Sequence, residues 1–329
     1  MRITTLNVGV YLLGNMGLVE RDLSLVPSDM LDDLSLDIMA NNYLNLDATT
    51  IIQKRLCMSM LLELAPYYTD VLCTQEDLVV DEQPIFADIY ELFGFKAISL
   101  CSSHLSMSPV LLGIYGASVK LANVIYVHER LLSQVVVRSM APVADLDDCG
   151  FKSDCVRCEA YPRCAAMVKI REGGRFTTIS NVHLCGGRFD DTKALGSKAV
   201  ARLKLEEVKS LLLGRKDRHI ICGDFNSTLL SADYNFGYPG SIKGGPLTDD
   251  DKHSWRLWQE GAIKYLINAG YNVVYTDLDK LVPTTSRGNA AVDWIFLRNV
   301  SAQSYDIIPM YNAGLGNTLT DHHGVIVDI

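Results

Sequence analysis

The feature that most restricts what this chain can fold into is the way its two hydrophobic periods interleave. Strand-like and helix-like runs alternate, yet several strand-like runs follow one another with no helix between them. Arg2 to Val10 alternates and is rich in β-branched residues, as a first strand should be. From 11 to 46 the pattern lapses, with room for one short helix over Ser28 to Asp37, and reads as an insertion. Asp47 and Thr49 then offer caps for a helix from about Thr50 to Tyr67, with Ile51, Ile52, Leu56, Met60, Leu61 and Leu64 on one face. Val71 to Gln75 follows as a buried strand. The unit recurs as a strand over Thr177 to Leu184, a helix over Thr192 to Leu213 stopped by Gly214, and a strand over His219 to Asp224. A helix from Trp255 to Ala269, closed by Gly270, precedes the strand Asn272 to Tyr275. Ala291 to Leu297 and His323 to Ile329 are late strands. A doubly wound parallel sheet needs a helix after every strand, so this layout favours a mixed α/β sandwich.

Short polar clusters stand at the ends of these strands, where loops present functional groups. They are Leu6-Asn7-Val8, Gln75-Glu76-Asp77, Asn181-Val182-His183-Leu184, Gly223-Asp224-Phe225-Asn226 and Thr320-Asp321-His322. Asp293 is different, an acid inside a run that otherwise reads as core. A buried carboxylate without a partner costs several kcal/mol, and His322 is its natural partner. The set consists of hard oxygen ligands plus histidines. Mg2+ takes one or two carboxylates and keeps several waters, leaving room for phosphate oxygens, whereas zinc favours His and Cys at close spacing. Attack on phosphorus needs a nucleophilic water, charge neutralisation and a proton for the leaving oxygen. These residue types can supply all three.

In their order along the chain the six motifs resemble the signature set of the endonuclease/exonuclease/phosphatase superfamily, whose members are DNase I-like. The resemblance spans residues 7 to 322. It implies a four-layer α/β/β/α sandwich of two packed mixed sheets with helices outside, in one domain over 1–329 that carries the insertion at about 11–46. It implies a Mg2+-dependent hydrolase of phosphate esters, with Mn2+ able to substitute. Carried over by residue, Glu76 resembles the principal metal ligand, with Asn7 and Asp321 beside it. Asp224 resembles the residue that orients or deprotonates the attacking water, and Asn226 one that hydrogen-bonds phosphoryl oxygens. Asp293 and His322 resemble the family's Asp–His pair, and His183 a second catalytic histidine, an acid toward the leaving group. Asn123, within Leu121 to Val127, resembles a further substrate-contacting asparagine. The Asn-Val-His-Leu motif, followed by a helix containing Arg202, is similar to the deadenylase, phosphodiesterase and sphingomyelinase branch. The expected activity is therefore phosphodiesterase or nuclease action on nucleic acid or nucleotide diesters. The alternatives are a phosphomonoesterase acting on a small soluble ester and a non-catalytic binding member.

Composition narrows the partners. The net charge of −9 is not that of a protein gripping nucleic acid through a basic surface, so a phosphate-bearing partner must be met by a local site or a metal. No run approaches the ~18 apolar residues that would cross a bilayer. The nine cysteines and the strand-like first residues suit a soluble intracellular protein, cytoplasmic or nuclear. Oligomeric state is not legible.

Several features carry two readings. Arg188, in the loop Gly186 to Asp191, can hold a substrate phosphate or belong to a solvated loop entering a helix. Gly237 to Pro246 can shape a substrate site or simply connect. Cys149, Cys155, Cys158 and Cys164 can bind structural zinc, but their spacing is not a pair of C-x2-C knuckles, and free or redox-labile thiols are favoured. Cys73, Cys185 and Cys222 read as inert buried hydrophobes. His323 should point away from His322 because strands alternate faces. Asp77 should turn away from Glu76 or cap the loop.

Overall fold

The structure, a computed structural model, describes residues 1–9, 46–102, 119–142, 164–184, 198–212, 217–230, 248–278, 281–285, 290–312, 317–318, 320 and 322–329. The strands are β1 (Arg2–Asn7), β2 (Val71–Val80), β3 (Gln83–Pro84), β4 (Phe95–Ser102), β5 (Lys120–His128), β6 (Val135–Pro142), β7 (Cys164–Glu172) and β8 (Arg175–His183). They continue as β9 (Arg218–Asp224), β10 (Asn272–Val273), β11 (Asp293–Arg298), β12 (Ser304–Ile308), β13 (Tyr311–Asn312), β14 (Asn317–Thr318) and β15 (Gly324–Asp328). The first sheet runs in the order β12-β15-β1-β2-β5-β4, with β3 paired to β2. The second runs β10-β11-β9-β8-β7-β6, and β13 and β14 form a small ribbon.

Among the described residues two strand pairs are parallel, β1 with β2 and β8 with β9. A parallel pair requires a long crossover, and each has one that includes a helix: α1 (Leu46–Leu64) for the first and α3 (Lys198–Leu211) for the second. Helix α2 (Ala87–Leu92) joins α1 on the first sheet, where Cys57, Met60, Leu61, Leu64, Ile89 and Tyr90 pack with Leu72, Leu78 and Tyr126. Helix α4 (Asp249–Asn268) joins α3 on the second. Between the sheets, Cys73, Ile125 and Val127 form one apolar cluster with Ala166, Val168, Ile179, Ile220 and Cys222. The result is an α/β/β/α sandwich, the layering in which each element buries its one apolar face.

Several boundaries differ from the sequence reading. Helix α1 already begins at Leu46, so Asp47 and Thr49 lie inside its first turn rather than ahead of it. Helix α4 begins well before Trp255. Thr248 accepts from the Asp251 amide while the Asp251 side chain reaches back, a capping box, and Asp249, Asp250 and Asp251 complement the positive end of the helix. Strand β2 does not end at Gln75 but continues through Glu76 and Asp77 across a bulge. The insertion at about 11–46 falls almost wholly outside the described residues, as do Arg188, Asp321, Cys149, Cys155, Cys158, Cys185 and Gly237 to Pro246; of Cys164 only the backbone is described. Cys57, Cys73 and Cys222 are free and buried, while Cys101 in β4 is disulfide-bonded. Among the described residues no helix is long and apolar enough to cross a membrane.

Candidate active site

The two parallel pairs do more than build the sheets. Their registers set Asn7 beside Gln75 and His183 beside Asp224, so both βαβ units deliver polar motifs at the carboxyl ends of their strands. The antiparallel pairing of β11 with β9 then places Asp293 directly beside Asp224. The C-terminal motif is tied in by Thr320, whose hydroxyl donates to the Asn7 carbonyl at 3.0 Å and accepts from the His322 amide at 3.4 Å.

Side chains from five strand ends and loops converge into an alternating row of acids and histidines. Glu76 Oε1 lies 3.7 Å from His183 Nε2, which lies 3.4 Å from Asp224 Oδ2. Asp224 Oδ2 in turn lies 3.8 Å from His322 Nε2, and His322 Nδ1 meets Asp293 Oδ2 at 2.8 Å. All five residues are buried, none more than 8% exposed. The Asp293–His322 pair expected from the sequence is thus formed, while the other three contacts of the row are not legible in the sequence.

Asparagines complete the row. Asn7 donates through Nδ2 to Asp224 Oδ2 at 3.0 Å and accepts from the Gly9 amide at 3.0 Å, which leaves its carbonyl oxygen a second lone pair. The Asn226 amide donates to Asp224 Oδ1 at 2.7 Å, and its Nδ2 lies 2.9 Å from His183 Nε2. Asn123 stands opposite Gln75 and Glu76 on β5 and is fully buried. His323 turns away from the row, its Nδ1 accepting from the Met310 amide at 3.4 Å.

The backbone beneath the site is unusual. Glu76 and Asn226 both adopt positive φ, 57° and 46°, conformations that cost a non-glycine residue about 1–2 kcal/mol. Gly223 has φ 143°, and a Cβ there would lie 1.8 Å from the Val182 carbonyl oxygen, so only glycine lets β8 and β9 close up at this point.

Lys204 of α3 was not singled out by sequence. It is buried, donates to the Asn226 carbonyl and to Ser227 Oγ (3.2 Å), and lies 4.1 Å over the Trp258 ring. It therefore holds the loop that carries Asn226. Thr284, also missed, accepts from the Val292 and Asp293 amides at 2.9 and 3.0 Å and fixes the entry to β11. Gln75 and Asn181, quoted only as parts of motifs, bond each other at 2.6 Å between the sheets.

Electrostatics separate the acids. Burial alone would raise Asp224, but the two histidines, the Asn226 amide and the Asn7 side chain outweigh it and hold its carboxyl below the usual carboxylate range. Burial pushes Asp293 up to about 6, with repulsion from Asp224 adding and His322 opposing. Three clustered acids against two histidines make the site rich in carboxylate oxygen. That donor set of oxygens and imidazoles, without thiolate, fits a divalent cation. Asp224, Asp293 and His322 alone bring three donor atoms within 4.8 Å of one another.

Known proteins bear on this arrangement. The sequence profile of the endonuclease/exonuclease/phosphatase family matches residues 44–322. The chain belongs to this family. Its fold is similar to that of a family member from Leptotrichia buccalis (TM-score 0.52, 13% identity, 100% of this chain and 99% of that one). It is also similar to a humanised Danio rerio TDP2 (TM-score 0.51, 14% identity, 99% and 97%) and to the human Nocturnin catalytic domain (TM-score 0.50, 17% identity, 84% and 86%). No curated protein sequence matches it. Members of the family are generally hydrolases acting on phosphate esters, and the two packed mixed sheets are those expected of it.

Proposed function

We propose that this chain hydrolyses phosphodiesters of nucleic acid or nucleotides by metal-assisted attack of water, with Mg2+ as the working ion. The observation that carries the reading is the buried alternating row Glu76–His183–Asp224–His322–Asp293. Glu76 would hold the ion, with Asn7 and Asp321 beside it, and the bound ion supplies charge neutralisation on the phosphoryl oxygens. Asp224 is kept ionised by its neighbours, which suits a group that orients an attacking water and accepts its proton. Asp293 fixes the ring of His322 through the 2.8 Å bond, leaving Nε2 to face the phosphate. Asn226 would give its amide to a phosphoryl oxygen in place of its present bonds to His183 Nε2 and the Leu184 carbonyl, which frees His183, 3.4 Å from Asp224, to protonate the leaving oxygen. Nocturnin's catalytic domain, a fold neighbour, holds a sulfate anion, a tetrahedral oxyanion like phosphate.

The test uses labelled single-stranded and duplex DNA, RNA and bis-p-nitrophenyl phosphate, with Mg2+ or EDTA. Wild-type protein should cleave at least one diester only with metal, and Asp224→Asn should lose roughly 10²–10⁴ of the rate. Cleavage that survives both EDTA and the substitution would sink the reading. Turnover of phosphomonoesters alone would replace the diester with a small soluble ester.

A further inference from the structure

Glu76 points into the site from a strand that should not present it there. Along β2 the pairing with β5 runs Thr74 to Val124 and then Asp77 to Ala122, so Gln75 and Glu76 together face Asn123. This is a bulge of two residues against one, and Glu76 occupies it with φ 57°.

The bulge has a staple. In an unbroken strand Thr74 and Asp77, three positions apart, would lie on opposite faces. Here the extra residue brings them to the same face, and Thr74 Oγ1 donates to Asp77 Oδ2 at 2.9 Å. That bond can exist only while the bulge does. The Tyr126 hydroxyl, from β5, donates to the same oxygen at 2.8 Å. Tyr126 is itself stacked on Tyr90 of α2, centroids 3.9 Å apart and planes 11° from parallel, so the staple is anchored in the helix layer. Asp77 has no exposed surface. A buried carboxyl is a costly way to fill space that a leucine would fill better, so packing does not explain it. On the opposite face Gln75 is tied to Thr5 at 3.0 Å and Asn181 at 2.6 Å. Glu76 is therefore held from both flanks in a conformation that it would not adopt unaided.

We propose that Asp77 is a positioning residue for the metal site. By stapling the β2 bulge through Thr74 and Tyr126, it fixes the left-handed turn that aims Glu76 at the ion. The inference rests on Glu76 being a metal ligand, and the experiment separates the two. Mn2+ binding to the folded, metal-free protein is followed by the EPR signal of the free ion, for wild type, Glu76→Gln, Asp77→Leu, Asp77→Asn and Thr74→Val, with folding checked by circular dichroism. Glu76→Gln should abolish or cripple binding. Asp77→Leu should weaken it by roughly 10–100-fold, the range for outer-shell partners of metal ligands. Asp77→Asn keeps an acceptor oxygen for both hydroxyls and should restore most of the affinity, and Thr74→Val should weaken it by a smaller factor. Should Asp77→Leu not fold, Thr74→Val decides. If Glu76→Gln cripples binding but the folded Asp77 and Thr74 variants bind as wild type, the staple is only structural and the inference falls alone. Unchanged binding in Glu76→Gln overturns the ligand assignment and the inference with it.

Discussion

A carboxyl group without any solvent exposure declares itself through its proton. Burial, the largest cause, pushes Asp77 up to about 6, against the hydrogen bonds from Tyr126 and Thr74 that lower it. The folded state therefore holds this proton more tightly than the unfolded chain, where the ordinary value of 3.8 applies. The sign follows: the stabilisation from binding the proton grows as pH falls from about 6 toward 4, and it is absent at pH 7 and above. A shift of roughly 2 units corresponds to a contribution on the order of 3 kcal/mol. Other acids titrate over the same range, so the measurement is a difference. Urea unfolding of wild type and Asp77→Asn in EDTA, from pH 7 to 4.5, should show the wild type gaining on the variant as pH falls. A gap independent of pH would mean that Asp77 does not take up a proton on folding. Single residues of this kind explain what the sequence makes legible. Asn7, Glu76, His183, Asp224, Asp293 and His322 were readable because each is polar against an apolar run. Asp77 was readable as turned away from Glu76 or capping the loop, since nothing local shows that Thr74 and Tyr126 close over it.

Elements carry the next layer of information, and here the sequence was less transparent. The helix period in α3 is plain, but period alone assigns its lysines to water. Lys204 is buried because Trp258 of α4 and the loop after β9 meet above it, and both come from distant sequence. Strand β2 was read as ending at Gln75 because three polar residues in a row look like a strand end, whereas pairing to β5 carries it on to Val80. The start of α4, capped by Thr248 and Asp251, lies outside the apolar stripe that marks its middle, so the sequence reading begins the helix only at Trp255. The packing of α3 on α4 supports the site through Lys204, which fixes the Asn226 carbonyl. Replacing it by methionine keeps most of the apolar stem but leaves buried acceptors without their donor, at about 1–3 kcal/mol. Lys204→Met should therefore be less stable by that amount, as thermal or urea unfolding would report. It should also lower kcat by roughly 10-fold or more, with a smaller change in KM, because Asn226 and His183 lose their fixed spacing. A variant that loses stability yet keeps wild-type kcat would confine Lys204 to a structural role.

At the scale of the whole molecule the site exists only where two sheets meet, so what locks the sheets together also fixes the chemistry. Most of that contact is apolar, from residues such as Cys73, Ile125, Val168 and Ile220, and apolar packing alone tolerates small slides. Directly beneath the site the contact becomes polar. Gln75 of the first sheet donates to Asn181 of the second at 2.6 Å, and Asn181 donates back to the Thr74 and Val124 carbonyls at 2.7 and 2.9 Å. Each residue neighbours a functional one along its strand: Gln75 adjoins Glu76, and Asn181 precedes His183 by one turn of the pleat. A polar bridge of this kind demands one register, because any slide leaves buried amides without partners. The sequence displayed both residues inside recognisable motifs but could not show that they face each other, since they stand in different sheets and far apart in the chain. The bridge predicts a specific pattern of energies. Gln75→Met and Asn181→Leu should each destabilise by about 1–3 kcal/mol or more by stranding buried polar partners. The double variant should cost less than the sum, with a coupling of roughly 0.5–3 kcal/mol between residues in contact. Urea unfolding of the four proteins gives that coupling directly. Strict additivity would mean that the 2.6 Å bond between the two amides contributes no net energy, and that the bonds from Asn181 to the Thr74 and Val124 carbonyls are the polar tie between the sheets.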